Sequence, residues 1–556
     1  MRRPAAAGLI FALFAAAILS GRASSPDKPP ARNERSPLGL PARSLQPKLD
    51  AALSRFLQVR TSRGREEAAA FASVRGLAAD NGSLQVVVEG RVFSRGKTAG
   101  NEIDLLAGRI SARGGQIQAR YRNLIQALIP INNLAVWALD PRVLRIRAPR
   151  RPVPHKSISE GVALTGAEAW AELPPFHVYP VKIGILDIGF SGYQNLLGTD
   201  LPDKVETKSF RQDKDLEAGE PHGAACAEIV HDMAPGAALF LANFDTDVEM
   251  YQAIEWFDQK GVDVVSCSVG WYNAGPGDGT GPLCDVVDEA SDRGLVWAAS
   301  AGNNADSHWD GEFTDRDNDG IHEFAPGDEI LSFNVRGGET IGVFLNWKDW
   351  GTWTGWDFTG TDQDYDLVLW RWTGLDWIAV DRASAVQNGG DWPAEDIWGY
   401  SFPQDATFGV SIVRARADRP MRLEVFTYGN SNTIEHNVPS RSLTSPADAA
   451  RAWTAGASDA VGDFYHYYSS QGPAWDGRIK PDFAAPSGVS TTTYGYRDFY
   501  GTSASAPHLA GALGLLIGGA DFTLDQVRTI LESRAADLGD PGPDNLFGWG
   551  RINLKK

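Results

Sequence analysis

Cysteine is scarce, three in 556 residues. At most one internal disulfide could form, so this is not a scaffold held together by disulfides. Long apolar runs are also lacking. The only candidate, Ala5 to Leu19, follows Arg2 and Arg3 and precedes Gly21-Arg22-Ala23. It is short for a membrane span. A charged start, an apolar stretch and a small-x-small site instead predict an export signal over residues 1–23. The expected location is therefore extracellular or periplasmic, with no membrane span left after signal cleavage. Positive charge is deficient in the rear of the chain: residues 166–556 hold 26 Lys and Arg against 59 Asp and Glu, while residues 24–165 hold 23 against 11. An acidic rear argues against nucleic acid as a partner. The opposite signs favour contact between front and rear.

The length predicts two to four domains. Residues 24–48 are rich in Pro, Arg and Ser, a composition that forms no core. Helix-like residues 49–72, the strand Leu84-Gln-Val-Val-Val-Glu and the strand Val143-Leu-Arg-Ile-Arg predict a small α/β unit. Ala148-Pro-Arg-Arg-Pro-Val-Pro-His is an exposed linker, because proline removes backbone donors and fixes φ. From Val181 onward, apolar strands alternate with helices, as with Met250, Ala253, Ile254 and Phe257 on one helical face. That alternation predicts a parallel sheet covered on both sides. Between 325 and 440 the apolar period becomes two (Ile341, Val343, Leu345, Trp347; then Phe408, Val410, Ile412), which predicts an inserted β-sandwich. Helical patterning returns in Ala504–Gly518 and Thr523–Ala535.

Four short segments carry chemistry. Asp187 stops the strand Ile185-Leu-Asp, and His222 opens a helix in Pro221-His222-Gly. Asn303 follows a strand in Ala301-Gly302-Asn303, and Ser503 opens a helix in Gly501-Thr-Ser503. Each alone has an ordinary explanation as a turn former or helix cap. Together they supply a nucleophile, a base, a group to orient the base and a donor for a developing oxyanion.

In the order Asp, His, Asn, Ser, with Ala234-Pro-Gly-Ala and Ser268-Val-Gly270 between, the chain resembles the subtilisin-like serine peptidases over roughly 165–324 and 441–556. The resemblance implies a three-layer α/β fold, a parallel sheet flanked by helices. It also implies a secreted serine endopeptidase acting on protein or peptide substrates, with Asp187, His222 and Ser503 as catalytic triad. Asn303 would serve the oxyanion, and Ser268, Val269 and Gly270 would pair with extended substrate. Residues 24–158 resemble, more weakly, the family's propeptides, which assist folding and block the site until cut, so the chain's own propeptide is an expected partner. The domains expected are thus 1–23 signal, 24–158 propeptide, 159–324 with 441–556 catalytic, and 325–440 inserted β-sandwich. Ile188 stands where the family commonly has Ser or Thr after the acid, and Trp271 where it often has a small residue. The alternatives are a binding or adhesion protein on an inactive scaffold, an acid-active relative, disfavoured by His222 and Asn303, and an esterase, disfavoured by triad order.

Asp315, Asp317, Asp319 and Glu323 fall at positions 1, 3, 5 and 9 of a loop with Gly320 at position 6. That spacing suits a structural calcium ion, although Pro326 occupies the position where a bidentate Glu is expected. A solvated acidic loop explains it equally well. Trp347, Trp350, Trp353 and Trp356 are either a sticky face or sandwich packing, packing being the simpler reading. Cys226, Cys267 and Cys284 read as small buried hydrophobes.

Overall fold

The computed structural model describes residues 48–555 except 75–76, 78, 81, 92–96, 151–152, 155–160, 172–179, 355–356 and 521. The expected export signal lies outside the described residues.

The central body is a seven-stranded parallel sheet. Its order is Phe483–Ser487, Ala452–Asp459, Val296–Ser300, Val264–Cys267, Lys182–Asp187, Ala238–Asn243, Glu206–Ser209. Strands buried on both faces explain the near-continuous apolar runs. Alternate residues separate two cores. Ile183, Ile185, Leu239 and Ala298 pack against helices His222–Met233 and Thr502–Ala520. Leu186, Phe240, Val265 and Trp297 pack against Asp247–Lys260 and Pro282–Asp292. Helix Thr502–Ala520 sits close to the sheet because its inner face is small: a Cβ on Gly514 would stand 2.7 Å from Ile183.

The front unit has two helices, Ala51–Arg63 and Arg65–Val74, where one run of helical residues is expected. Gly64, with φ of +98°, divides them. Its five-stranded sheet lays Val87, Ala119, Tyr121 and Leu124 on the outer helices of the central body.

The inserted unit is a sandwich of two four-stranded antiparallel sheets closing on one core of Phe333, Val343, Leu345, Trp347, Leu367 and Phe408. It starts before residue 325, since His308–Glu312 pairs with Arg422–Tyr428. That edge strand carries too few apolar residues to alternate, which hides it in the sequence. Trp347 and Trp350 are buried. The Trp353 indole donates to Asp285 Oδ2 (3.0 Å) on the central body. Trp356 lies outside the described residues. Trp347, Trp350 and Trp353 pack rather than form a bare face.

Candidate active site

Asp187 ends its strand fully buried, and His222 is the first residue of the neighbouring helix. The helix start reaches the strand end because position 223 is glycine. A Cβ there would stand 2.7 Å from both Asp187 Cβ and the Gly189 carbonyl oxygen, which accepts the Gly223 N–H at 2.9 Å. His222 Nδ1 lies 2.9 and 2.8 Å from the two Asp187 oxygens. With Nδ1 carrying its proton toward the carboxylate, Nε2 is the basic nitrogen. Asp187 Oδ1 also accepts the Ile188 N–H at 2.8 Å. The backbone thus supplies a donor at the position where a side-chain hydroxyl is missing. Phe499 covers the imidazole, ring centroids 5.9 Å apart.

Ser503 is the second residue of helix Thr502–Ala520 and is buried. Its Oγ donates to the Ser268 carbonyl at 3.2 Å. Pro507, inside the same helix, has no N–H to give the Ser503 carbonyl four residues earlier. That carbonyl instead accepts Ser268 Oγ (2.9 Å) and Cys226 Sγ (3.6 Å). One missing helical bond therefore ties together the nucleophile helix, the edge Ser268–Gly270 and the His222 helix. Asn303 meets the same turn: its Oδ1 accepts the Thr502 N–H and the Thr502 hydroxyl, both at 3.0 Å. This fixes the amide with Oδ1 toward the turn and Nδ2 as its donor end. Tyr468 Oη accepts the Gly501 N–H at 2.9 Å. Thr502 was concealed within Gly-Thr-Ser, and Tyr468 carried no sequence signal.

Val269 and Gly270 pair antiparallel with Pro154 and Val153 of the linker that follows the front unit. The edge expected to hold an extended chain thus holds this chain's own. Trp271 is buried and stacks on Phe244 (5.9 Å), as packing would have it. His508 Nδ1 donates to the Ala504 carbonyl of its own helix (2.8 Å), away from the Asp187–His222 pair. The three cysteines are free and buried. Burial pushes the Cys226 and Cys284 thiols well up, and Cys267 to about 12, so none is a ready thiolate.

The carboxylates of Asp315, Asp317 and Asp319 gather with donor oxygens within 4.8 Å of one another. Such a set fits a hard cation. Glu323 is not among them: its carboxylate binds Arg316 (2.5 Å). Arg414 takes one oxygen of Asp315 (2.6 Å).

Fold and site define a parallel α/β domain carrying an acid–imidazole–hydroxyl set beside an amide donor. The subtilase family model matches residues 385–550, the stretch that includes the Ser503 turn. An extracellular serine protease of Serratia marcescens is 44% identical over 62 residues, 11% of this chain and 6% of that protein. Pyrolysin of Pyrococcus furiosus is 37% identical over 106 residues, 16% of this chain and 8% of that protein. The chain thus spans less than a tenth of these relatives. Among solved structures, the Clostridium perfringens CspB protease aligns over 67% of this chain and 93% of its own, at 14% identity and a TM-score of 0.45. Over residues 385–550 the chain is similar to the subtilase family.

Proposed function

We propose that the protein is a secreted serine endopeptidase, made as a self-processing precursor. The observation that carries this reading is the buried Asp187–His222 pair beside a helix start holding Ser503, with Asn303 bound to the same turn. His222 Nε2 takes the Ser503 proton as Oγ attacks a peptide carbonyl, and returns it to the leaving amine. Asp187 holds the tautomer and stabilises the imidazolium. Asn303 Nδ2 and the Ser503 N–H receive the oxyanion, each such donor being worth about 3–4 kcal/mol. Substrate adds as a strand to Ser268–Gly270.

The linker pairing supports the precursor reading. Pro154 faces Val269 and Val153 faces Gly270, so the linker lies along the edge that follows Ser268. The carbonyl of Ser268 touches Ser503 Oγ. The chain's own first cut is therefore proposed to fall in this linker, near residues 148–165. A calcium ion, held by Asp315, Asp317 and Asp319 without Glu323, belongs to the same proposal as a stabiliser rather than a reactant.

Intact mass and N-terminal sequencing of exported wild type beside Ser503→Ala test the proposal. Wild type is expected to lose its front unit by a cut in the linker and the variant to keep it. Equal trimming of both would assign maturation to another peptidase. A wild type that stays whole, digests no casein and takes no fluorophosphonate label would leave an inactive binding scaffold as the reading.

A further inference from the structure

A cavity of about 320 Å³ adjoins the nucleophile, and the sandwich builds much of it. Asn303 and Tyr468 form the wall toward the Ser503 turn, and each bonds that turn directly. Tyr272, two residues beyond the edge Ser268–Gly270, forms the wall toward the substrate strand. The far wall comes from the sandwich, residues 427–431 and the hairpin bearing Arg336 and Glu339.

The floor segment is held from the same side. The Asp306 carbonyl accepts the Ile434 N–H (3.0 Å), and the Ser307 carbonyl accepts the Thr427 N–H (2.9 Å). Tyr272 stacks on Phe344 of the sandwich with centroids 4.4 Å apart, and its hydroxyl donates to Asn304 Oδ1 (2.6 Å). Side-chain room next to the scissile bond is thus shaped by the insertion, not by the parallel-sheet body alone.

The lining is aromatic and hydroxylic, with three charges. Arg336 and Glu339 are exposed at the mouth, opposite in sign and three residues apart. Asp306 is half-buried and has no cationic partner among the described residues. Burial raises its carboxyl above the usual range, so an arriving cation would relieve a group already short of solvent. Tyrosine rings suit an aliphatic stem and a cationic head alike.

We infer that this cavity receives the substrate side chain preceding the cut, and that Asp306 selects Lys or Arg there. The inference rests on the peptidase reading above and names its substrate class.

Peptides differing only in the residue before the bond (Arg, Lys, Leu, Phe, Glu) test it on mature protein, with active sites counted by fluorophosphonate labelling. Wild type is expected to cut Arg and Lys peptides at least 10-fold faster in kcat/KM than the others. Asp306→Asn should lower the Arg-to-Leu ratio at least 10-fold per labelled site, and Asp306→Glu should restore most of it. A wild-type preference for Leu, Phe or Glu overturns the inference while leaving the peptidase reading intact. So does a ratio unmoved by Asp306→Asn. Protein that takes no label and cuts none of the peptides overturns both.

Discussion

The front unit and the sandwich both lean on the parallel-sheet body, each through a buried ion, but the two ions are satisfied differently. Arg147 of the front unit binds Glu89 of its own unit (2.6 Å) and Asp247 across the boundary (2.6 Å). Arg150 lies half-buried nearby over the Trp392 ring of the sandwich, and its pKa falls to about 10 through desolvation and the neighbouring Arg147. Glu424 of the sandwich is served mainly from within: Lys348 (2.9 Å), Asn346 (2.7 Å) and His308 (3.3 Å) surround it, and Trp475 (3.0 Å) alone reaches it from the central body. Those cationic partners hold Glu424 far below the usual carboxylate range. The front unit is thus fastened by an ion pair that crosses its boundary. The sandwich, tethered at both ends, keeps its ion at home. Under the proposed maturation the front unit leaves and the sandwich stays, and two such parts are expected to differ in this way.

Removing each ion should break the comparison open. Glu424→Ala strands Lys348 and His308 and is expected to cost about 3–5 kcal/mol. Thermal unfolding in the Ser503→Ala background, where autolysis is absent, should show the loss in the sandwich transition, with front-unit release unchanged. Arg147→Ala strands Glu89 and Asp247, a loss of about 3–4 kcal/mol at the boundary. It should appear as faster departure of the front unit, by 100-fold or more, once the linker is cut by an added site-specific protease. If Arg147→Ala lowers the main unfolding transition instead, the ion pair serves general stability and the contrast fails.

Acid sharpens the contrast with one histidine in each body. Burial lowers both His508, in the central body, and His322, in the sandwich, to about 4. A depressed imidazole stays neutral in the folded protein while the unfolded chain gains a proton below about 6.5. Stability from each is complete above that pH, is lost as pH falls toward 4, and for His508 amounts to about 3 kcal/mol. His508→Gln should flatten the acid limb of the central transition alone, and His322→Gln that of the sandwich alone. Unfolding curves from pH 7 to 4 that respond together would mean the bodies unfold as one unit.

What could be read from sequence was what is local. Strand ends and helix starts place Asp187, His222 and Ser503, and the period of apolar residues separates parallel sheet from sandwich. Features made by distant segments were not legible. The edge strand His308–Glu312 declares itself only through its partner Arg422–Tyr428. The Ser503 carbonyl finds Ser268 and Cys226 only after three segments meet. The cavity beside Asn303 draws on residues more than a hundred positions apart. Glu323 fits a ligand spacing, yet Arg316 within the same loop claims it.

The smallest expected effect concerns that loop. Asp315, Asp317 and Asp319 already share their oxygens with backbone N–H groups: Asp319 N–H with Asp315 Oδ1 (3.1 Å), Gly320 N–H with Asp315 Oδ2 (3.2 Å) and Ile321 N–H with Asp319 Oδ1 (2.9 Å). The loop is therefore shaped without an ion, and the ion's task would be to neutralise three clustered carboxylates that Arg414 offsets only in part. Binding adds stability according to free ion over its dissociation constant. A weak site of this donor number should contribute about 1 kcal/mol in millimolar calcium, or about 2–4 °C in the sandwich transition. Chelator should remove that shift in wild type and have no effect in Asp317→Asn. The central transition should ignore calcium in both, since the loop bonds through Arg414 to the sandwich, not to the parallel sheet. Equal shifts in both transitions would place the ion elsewhere.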